Sequence, residues 1–306
     1  MEQPLPRPVG SSTACTWVKV EFGADMCLME NDRISQHVMR HGSWIGCKNY
    51  INMWQEKRSM SILYGTNTNK LDVIVEIGAN IGACTLQLLL QTNATVLAFE
   101  PSPLNLYHLT ESLVRTSRKH TSLVQRVVVF PIGIGDARQT QTIFVAKGNA
   151  GNSVINRKVR DHSSQDMSLS YRVVVSTLDS VLSAHTFMTR SAISIAKIDV
   201  QGFECRVLDG MTNIASAGGI SAISVELASG WLSPHGCSPQ LALAKLYRLG
   251  FKLNTSWSTV PHCLKTYYGC DTTAEWSRHL SSNCRWKSGN GKHPEAVAVC
   301  SSRTTI

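Results

Sequence analysis

The 306-residue sequence is short of charge and of aromatic side chains: 17% of its residues are Asp, Glu, Lys or Arg, and 7% are Phe, Trp or Tyr. Low charge together with 43% hydrophobic residues excludes a disordered chain and supplies the core of one large domain or two small ones. No apolar run approaches the roughly 18–20 residues that a membrane-spanning helix needs, so no membrane span is expected. The segment from Met1 to Trp17 lacks the charged-then-apolar pattern of a secretory leader. There is no CxxC pair and no Cys/His spacing suited to zinc, so no metal is expected. The dinucleotide fingerprint GxGxxG is also missing, which argues against a nicotinamide-dependent enzyme.

What is present is basic and rich in cysteine. Thirty Lys and Arg against 21 Asp and Glu leave a net charge of +9. The densest clusters, Arg115/Arg118/Lys119 and Arg157/Lys158/Arg160, are small and separated. They read as solvated surface charge, and a nucleic-acid partner is not expected. The ten cysteines crowd toward the two ends, with Cys84, Cys205 and Cys237 between. Two readings stay open. Free thiols would fit a cytoplasmic protein, the expectation preferred here. Disulfides, with the sequons Asn93-Ala-Thr and Asn254-Thr-Ser, would fit a luminal one.

Three stretches follow one another. Residues 1–70 read as an amino-terminal cap, with a strand at Trp17–Phe22, short helices between Asn31 and Leu63, and a turn-rich linker at Gly65–Asn69. From residue 71 to 254, short β-branched runs alternate with helical patterns, the mark of an α/β domain on a parallel sheet. Strands are expected at Asp72–Glu76, Thr95–Phe99, Arg126–Phe130, Ser194–Asp199 and Ile220–Glu226, and helices at Ile81–Gln91, Leu104–Thr116 and Ser238–Leu249. Gln141–Ala146 and Tyr171–Ser176 flank a polar loop and read as a hairpin-like insertion. Residues 255–306 form a cysteine-bearing segment expected to complete the sheet, with Phe251–Asn254 and Ala296–Cys300 as a closing antiparallel pair.

The chemistry gathers where strands end. Val75-Glu-Ile-Gly-Ala-Asn-Ile-Gly82 joins a strand to a helix: Gly78 permits a sharp turn, Gly82 a close approach, and the helix amides would face a ligand. Asn80 stands where a dinucleotide fold would place its second glycine. Glu100 ends the second strand, placed to accept from ribose hydroxyls. Asp136, in Ile134-Gly-Asp, would follow the third strand and suit an adenine amine. Lys197-Ile-Asp-Val-Gln-Gly-Phe-Glu204 clusters a lysine and two acids, and Glu226 ends the next strand. Pairing is the plainest reason for a lysine or an acid in a buried strand.

These blocks together, VEIGANIGACTLQLL, FEPSPLNLYHL, IGIGD, STLDSVL and KIDVQGFECRVLDGM, resemble the FkbM family of S-adenosylmethionine-dependent methyltransferases across residues 72 to 254. The resemblance implies a class I methyltransferase (Rossmann-like) fold, a mostly parallel sheet flanked by helices. It also implies transfer of a methyl group to a hydroxyl of a sugar, glycan or other small metabolite. Glu76, Gly78, Asn80, Gly82, Glu100 and Asp136 would hold S-adenosyl-L-methionine. Asp199 would act as general base or orient the acceptor, with Glu204 second and Glu226 and His235 as further candidates. One position departs from the family form K-x-D-V-E-G-x-E: Gln201 replaces the inner glutamate, and a neutral amide neither serves as a base nor holds a metal well. That departure motivates an alternative, a nucleotide-binding module without transfer.

Overall fold

The computed structural model describes residues 3–9, 14–63, 71–156, 169–184 and 191–253, and the strand segments 273–277, 284–288 and 296–300. The chain clusters into two compact units. One comprises Met1–Ile51, Val75–Gly133 and Gln139–Val175; the other comprises Asn52–Ile74, Ile134–Arg138 and Ser176–Ile306.

In the first unit, β1 (Thr16–Lys19) and β2 (Asp25–Leu28) pair antiparallel. They are followed by α1 (Arg33–His41) and the start of α2 (Cys47–Leu63). The last residues of β3 (Leu71–Ile77) then lead through α3 (Ala83–Gln91), β4 (Thr95–Phe99) and α4 (Pro103–Ser117) to β5 (Val127–Phe130). Val75, Val96, Leu97, Ala98 and Phe99 are fully buried, the larger side chains each contributing roughly 1.5–3 kcal/mol and the alanine less. Helix α4 starts where its sequence says it should: Ser102 caps it and Pro103 takes the first helical position. Its polar stripe has a partner, since Ser112 and Thr116 accept from the backbone N–H of Cys27 and Asp25 on β2 at 2.8 and 3.0 Å. A smaller antiparallel sheet orders β6 (Gly133–Ile134), β9 (Leu169–Ser176), β7 (Gln139–Val145) and β8 (Val154–Ile155) as β6-β9-β7-β8. The β7–β9 pairing is the expected hairpin-like insertion.

In the second unit, α5 (Leu178–Ser183) precedes β10 (Ser191–Ile198), α6 (Glu204–Asp209), α7 (Thr212–Ser216), β11 (Ala222–Glu226) and α8 (Ser229–Leu232). α9 (Pro239–Arg248) and β12 (Lys252–Leu253) follow, then β13 (Thr273–Ser277), β14 (Cys284–Ser288) and β15 (Ala296–Cys300). Ser238 caps α9 by accepting from Leu241 N–H at 3.1 Å, again with proline first in the helix.

The main sheet has the order β12-β13-β11-β10-β3-β4-β5. β4 and β5 run parallel, as do β10 and β11, while β13 is antiparallel to both of its neighbours. A mostly parallel sheet with helices between its strands and one reversed strand near an edge is the class I methyltransferase architecture expected from the blocks.

Four details differ from expectation. The first strand has a partner, β2, that the sequence reading missed, because Asp25–Leu28 is too short to show alternation. Residues 47–63 form one long helix, where short ones were expected. The segments expected to pair with each other do not: β12 pairs with β13, and β15 with β14. Alternation marks a strand but carries no address for its neighbour. Finally, six cysteines are bonded as Cys15–Cys27, Cys47–Cys84 and Cys205–Cys237, so the free-thiol reading fails for them. Among the described residues Cys15, Cys27 and His108 come close enough to share a metal, but the two sulfurs are bonded to each other. The linker Gly65–Asn69 and most of the polar loop at 157–168 lie outside the described residues.

Candidate functional site

The first unit holds a corner built almost entirely from backbone. After β3, Gly78, Asn80 and Gly82 take φ values of +86°, +54° and +83°, three left-handed residues alternating with ordinary ones. That geometry is cheap for glycine and tolerable for asparagine, whose side chain bonds locally; here Asn80 Oδ1 accepts from Ile81 N–H at 2.7 Å. The N–H groups of Gly78 and Ala79 both donate to Phe99 O at 3.0 Å, tying the corner to the end of β4. Gly82 answers to packing as well as to the turn, since a Cβ there would meet Leu109 Cδ1 of α4 at 2.2 Å. As the N-cap of α3 it brings no side chain to the first-turn amides, which keeps them available to a ligand.

Two buried carboxylates stand at this corner. Glu76 is fully buried and accepts from the Thr85 hydroxyl in the first turn of α3 at 2.5 Å. Glu100, 4% exposed, is held by three donors. Asn80 N–H reaches Oε2 at 2.8 Å, while Ser102 N–H and Asn105 Nδ2 reach Oε1 at 2.9 and 3.2 Å. The corner and the β4 acid are therefore one hydrogen-bonded piece. Asn105 escaped the sequence reading, although its place two residues beyond the Pro103 that opens α4, where a side chain can reach back over the helix start, was a usable signal. Cys84, one residue before Thr85, is bonded to Cys47 at the head of α2.

The second unit carries the acidic cluster. Lys197, nearly buried on β10, lies with Nζ 3.6 Å from Asp199 Oδ2. Gln201 Nε2 donates to Asp199 Oδ1 and to Glu226 Oε2, each at 2.9 Å. Glu204 is buried in the first turn of α6, and its Oε1 accepts from Val200 N–H at 3.1 Å, closing the turn that carries Gln201 and Gly202. Burial pushes the Glu204 carboxyl up to about 7; backbone N–H donors pull the other way, and the neighbouring Asp199 charge adds to the rise.

Gly202, at φ +102°, touches the following loop so closely that a Cβ would meet Trp231 O at 2.3 Å and His235 Cδ2 at 2.7 Å. The His235 ring stands edge-on to Phe203, with centroids 5.8 Å apart, and the Cys205–Cys237 disulfide ties the loop to α6. Asp136 also belongs to this unit, and its Oδ2 accepts from Arg206 Nη1 at 2.8 Å in a partly exposed ion pair. The structure thus brings Glu76, Gly78, Asn80, Gly82 and Glu100 together in one unit. It gathers Asp199, Glu204, Glu226 and His235 about Gln201 in the other, and turns Asp136 to Arg206. The bridging role of Gln201 was not read from the sequence, because it depends on the spacing between two strands.

No curated relative matches the chain. Among solved structures it is similar to a methyltransferase FkbM from Methylobacillus flagellatus KT, with 17% identity over 63% of this chain and 43% of that one, and a TM-score of 0.39. It is similar also to a precorrin-6y C5,15-methyltransferase from Geobacter metallireducens GS-15, at 11% identity over 79% of this chain and 81% of that one, TM-score 0.32. A magnesium protoporphyrin IX methyltransferase from Synechocystis PCC 6803, solved with S-adenosylmethionine bound, shows 9% identity over 75% and 80% of the two chains, TM-score 0.31. The chain spans less than half the length of the first of these. The model of the methyltransferase FkbM domain matches residues 76–253, more than half of the sequence, from the first buried glutamate to the end of β12. The chain belongs to the FkbM methyltransferase family, whose cofactor is S-adenosylmethionine.

Proposed function

We propose that this chain transfers the methyl group of S-adenosylmethionine to a hydroxyl oxygen on a sugar, a glycan or another small metabolite. The observation that carries the reading is the left-handed corner Gly78–Gly82 fused by hydrogen bonds to the buried Glu100 carboxylate. Its donor set fits the cofactor. Uncapped amides at the start of α3 suit the methionyl carboxylate, and a carboxylate locked at the end of β4 suits the ribose hydroxyls. Asp136 is assigned to the adenine amine by the family resemblance alone.

Bound there, the cofactor supplies a methyl group that is already electrophilic, so the protein must orient the acceptor and receive its proton. Asp199, at the carboxyl end of β10, is assigned that proton. Glu204 holds the turn beneath it, and Glu226 and His235 flank the acceptor. Three disulfides support an oxidising compartment, and hence a glycan acceptor, over a cytoplasmic metabolite.

Calorimetry with S-adenosylmethionine, S-adenosylhomocysteine and NAD, followed by transfer of labelled methyl to a panel of hydroxylated acceptors, tests the reading. Binding of the two sulfur ligands, no binding of NAD, and label appearing on oxygen are expected. Absence of sulfur-ligand binding would overturn it. Gln201, an amide where the family carries an acid, favours one second reading, a nucleotide-binding module without transfer. Binding with no label on any acceptor would select that reading.

A further inference from the structure

Gln201 holds a conformation that costs energy. Its φ is +52°, and among the described residues the other non-glycine positions at positive φ are both asparagines, Asn80 and Asn156, which tolerate that region. A glutamine there is strained and persists only where its surroundings over-determine it. What over-determines it is the side-chain amide. An NH2 group has two hydrogens, and both are used: one goes to Asp199 Oδ1 and one to Glu226 Oε2, each at 2.9 Å. The planar amide therefore turns its carbonyl away from both acids.

Two carboxylates bonded to one nitrogen are close neighbours, and neighbouring carboxylates repel. Such a pair is stabilised by a shared proton, by a cation or by N–H donors. Here the donor sits between the two acids, in the position a bridging cation would need. Among the described residues, the charged groups next to the pair include Lys197 Nζ, 3.6 Å from Asp199 Oδ2, the buried Glu204, which feels the Asp199 charge, and His235, which packs on Gly202.

We propose that Gln201 is the positioning residue of the acceptor site: its amide clamps Asp199 and Glu226 side by side, a task that a glutamate at this position would leave to a divalent cation. This rests on the methyltransferase reading for its use in catalysis, though not for its chemistry. During transfer the acceptor oxygen bonds to the methyl carbon, its proton passes to Asp199, and the electron pair of the broken carbon–sulfur bond stays on sulfur. Gln201 neither gains nor loses a proton.

The test compares the full chain with Gln201→Glu and Gln201→Met. Calorimetry with magnesium and calcium chlorides should show binding to Gln201→Glu at least tenfold tighter than to the unsubstituted chain. Carbon-13 NMR at pH 8 should show the Asp199 and Glu226 carboxylate resonances displaced in Gln201→Met, which keeps the volume but loses the donor. Affinity of Gln201→Met for S-adenosylhomocysteine should stay within about twofold. Unchanged cation affinity in the first variant together with unchanged carboxylate resonances in the second would overturn the proposal. So would unfolding of both variants, which would make Gln201 a folding residue. Neither readout needs turnover, so a chain that bound no sulfur ligand would sink the methyltransferase reading and leave this one to be judged separately.

Discussion

Glu100 shows how a single side chain joins fold to chemistry. Three donors fix its carboxylate before any ligand arrives, so no rotamer entropy has to be lost on binding. Replacing it with alanine should weaken binding of S-adenosylhomocysteine by roughly 1–3 kcal/mol, about ten- to hundredfold, in calorimetry. Unchanged affinity would remove it from the ribose role. Glu204 invites a measurement on stability. Its folded-state pKa, raised to about 7 by burial, lies above the ordinary glutamate value near 4.5. The native state therefore binds the proton more tightly than the unfolded chain. Stability from this group is fully present below pH 4.5 and declines as pH rises through 7. Glu204→Gln mimics the protonated form, so it should unfold at higher denaturant than the parent chain at pH 8, by about 1–3 kcal/mol, and at nearly the same denaturant at pH 4.5. An equal difference at both pH values would mean that the carboxyl is not buried as described.

Among the elements, α1 is joined to a distant loop at its first turn, where Arg33 N–H donates to Gly148 O at 3.1 Å and the cap residue adds a second tie. Asp32 caps the helix, its Oδ2 accepting from Ser35 N–H at 2.8 Å, while its Oδ1 accepts from Ala150 N–H at 2.8 Å. The carboxylate is 3% exposed, and burial raises its pKa against the pull of those donors. Asp32→Ala removes the cap and strands a buried amide, so a loss of about 2–4 kcal/mol is expected in urea unfolding, with Asp32→Asn losing less. This link could not be read from the sequence, since a cap is visible locally but its second partner, more than a hundred residues away, is not. The same division runs through the fold. Thr95–Phe99 was found to the residue because a buried parallel strand is a continuous apolar run, and α4 within one residue because Ser102 and Pro103 announce its start. The β12–β13 pairing, the β2 strand and the Gln201 bridge were missed, because each depends on a meeting in space that no local pattern encodes. At the site, the glycine corner was legible because positive φ demands particular residue types; the arrangement of acids around Gln201 was not.

For the molecule as a whole, the disulfides decide what environment it needs. Cys15–Cys27, Cys47–Cys84 and Cys205–Cys237 close segments with sequence separations of 12, 37 and 32. Constraint of the unfolded chain alone makes the first worth roughly 3 kcal/mol and each of the others roughly 4 kcal/mol, against a typical net stability of about 5–15 kcal/mol. A chain that draws so much of its stability from cross-links is marginal where thiols are kept reduced. Two of the bonds also end beside residues of the proposed site: Cys84 precedes the Thr85 that donates to Glu76, and Cys205 follows Glu204. Reduction should therefore lower the melting temperature by well over 10 °C and weaken binding of S-adenosylhomocysteine before the chain unfolds globally. Non-reducing mass analysis should find at least three disulfides, with Cys47 joined to Cys84 and Cys205 to Cys237 in the peptide map. A Cys47→Ser/Cys84→Ser pair isolates the corner. It should lose roughly 4 kcal/mol of stability and bind the sulfur ligand less tightly, while the carboxylate resonances of Asp199 and Glu226 stay as they were. Native protein with ten free thiols and an unchanged melting temperature in reductant would return the chain to a reducing compartment, and the glycan acceptor would lose its support.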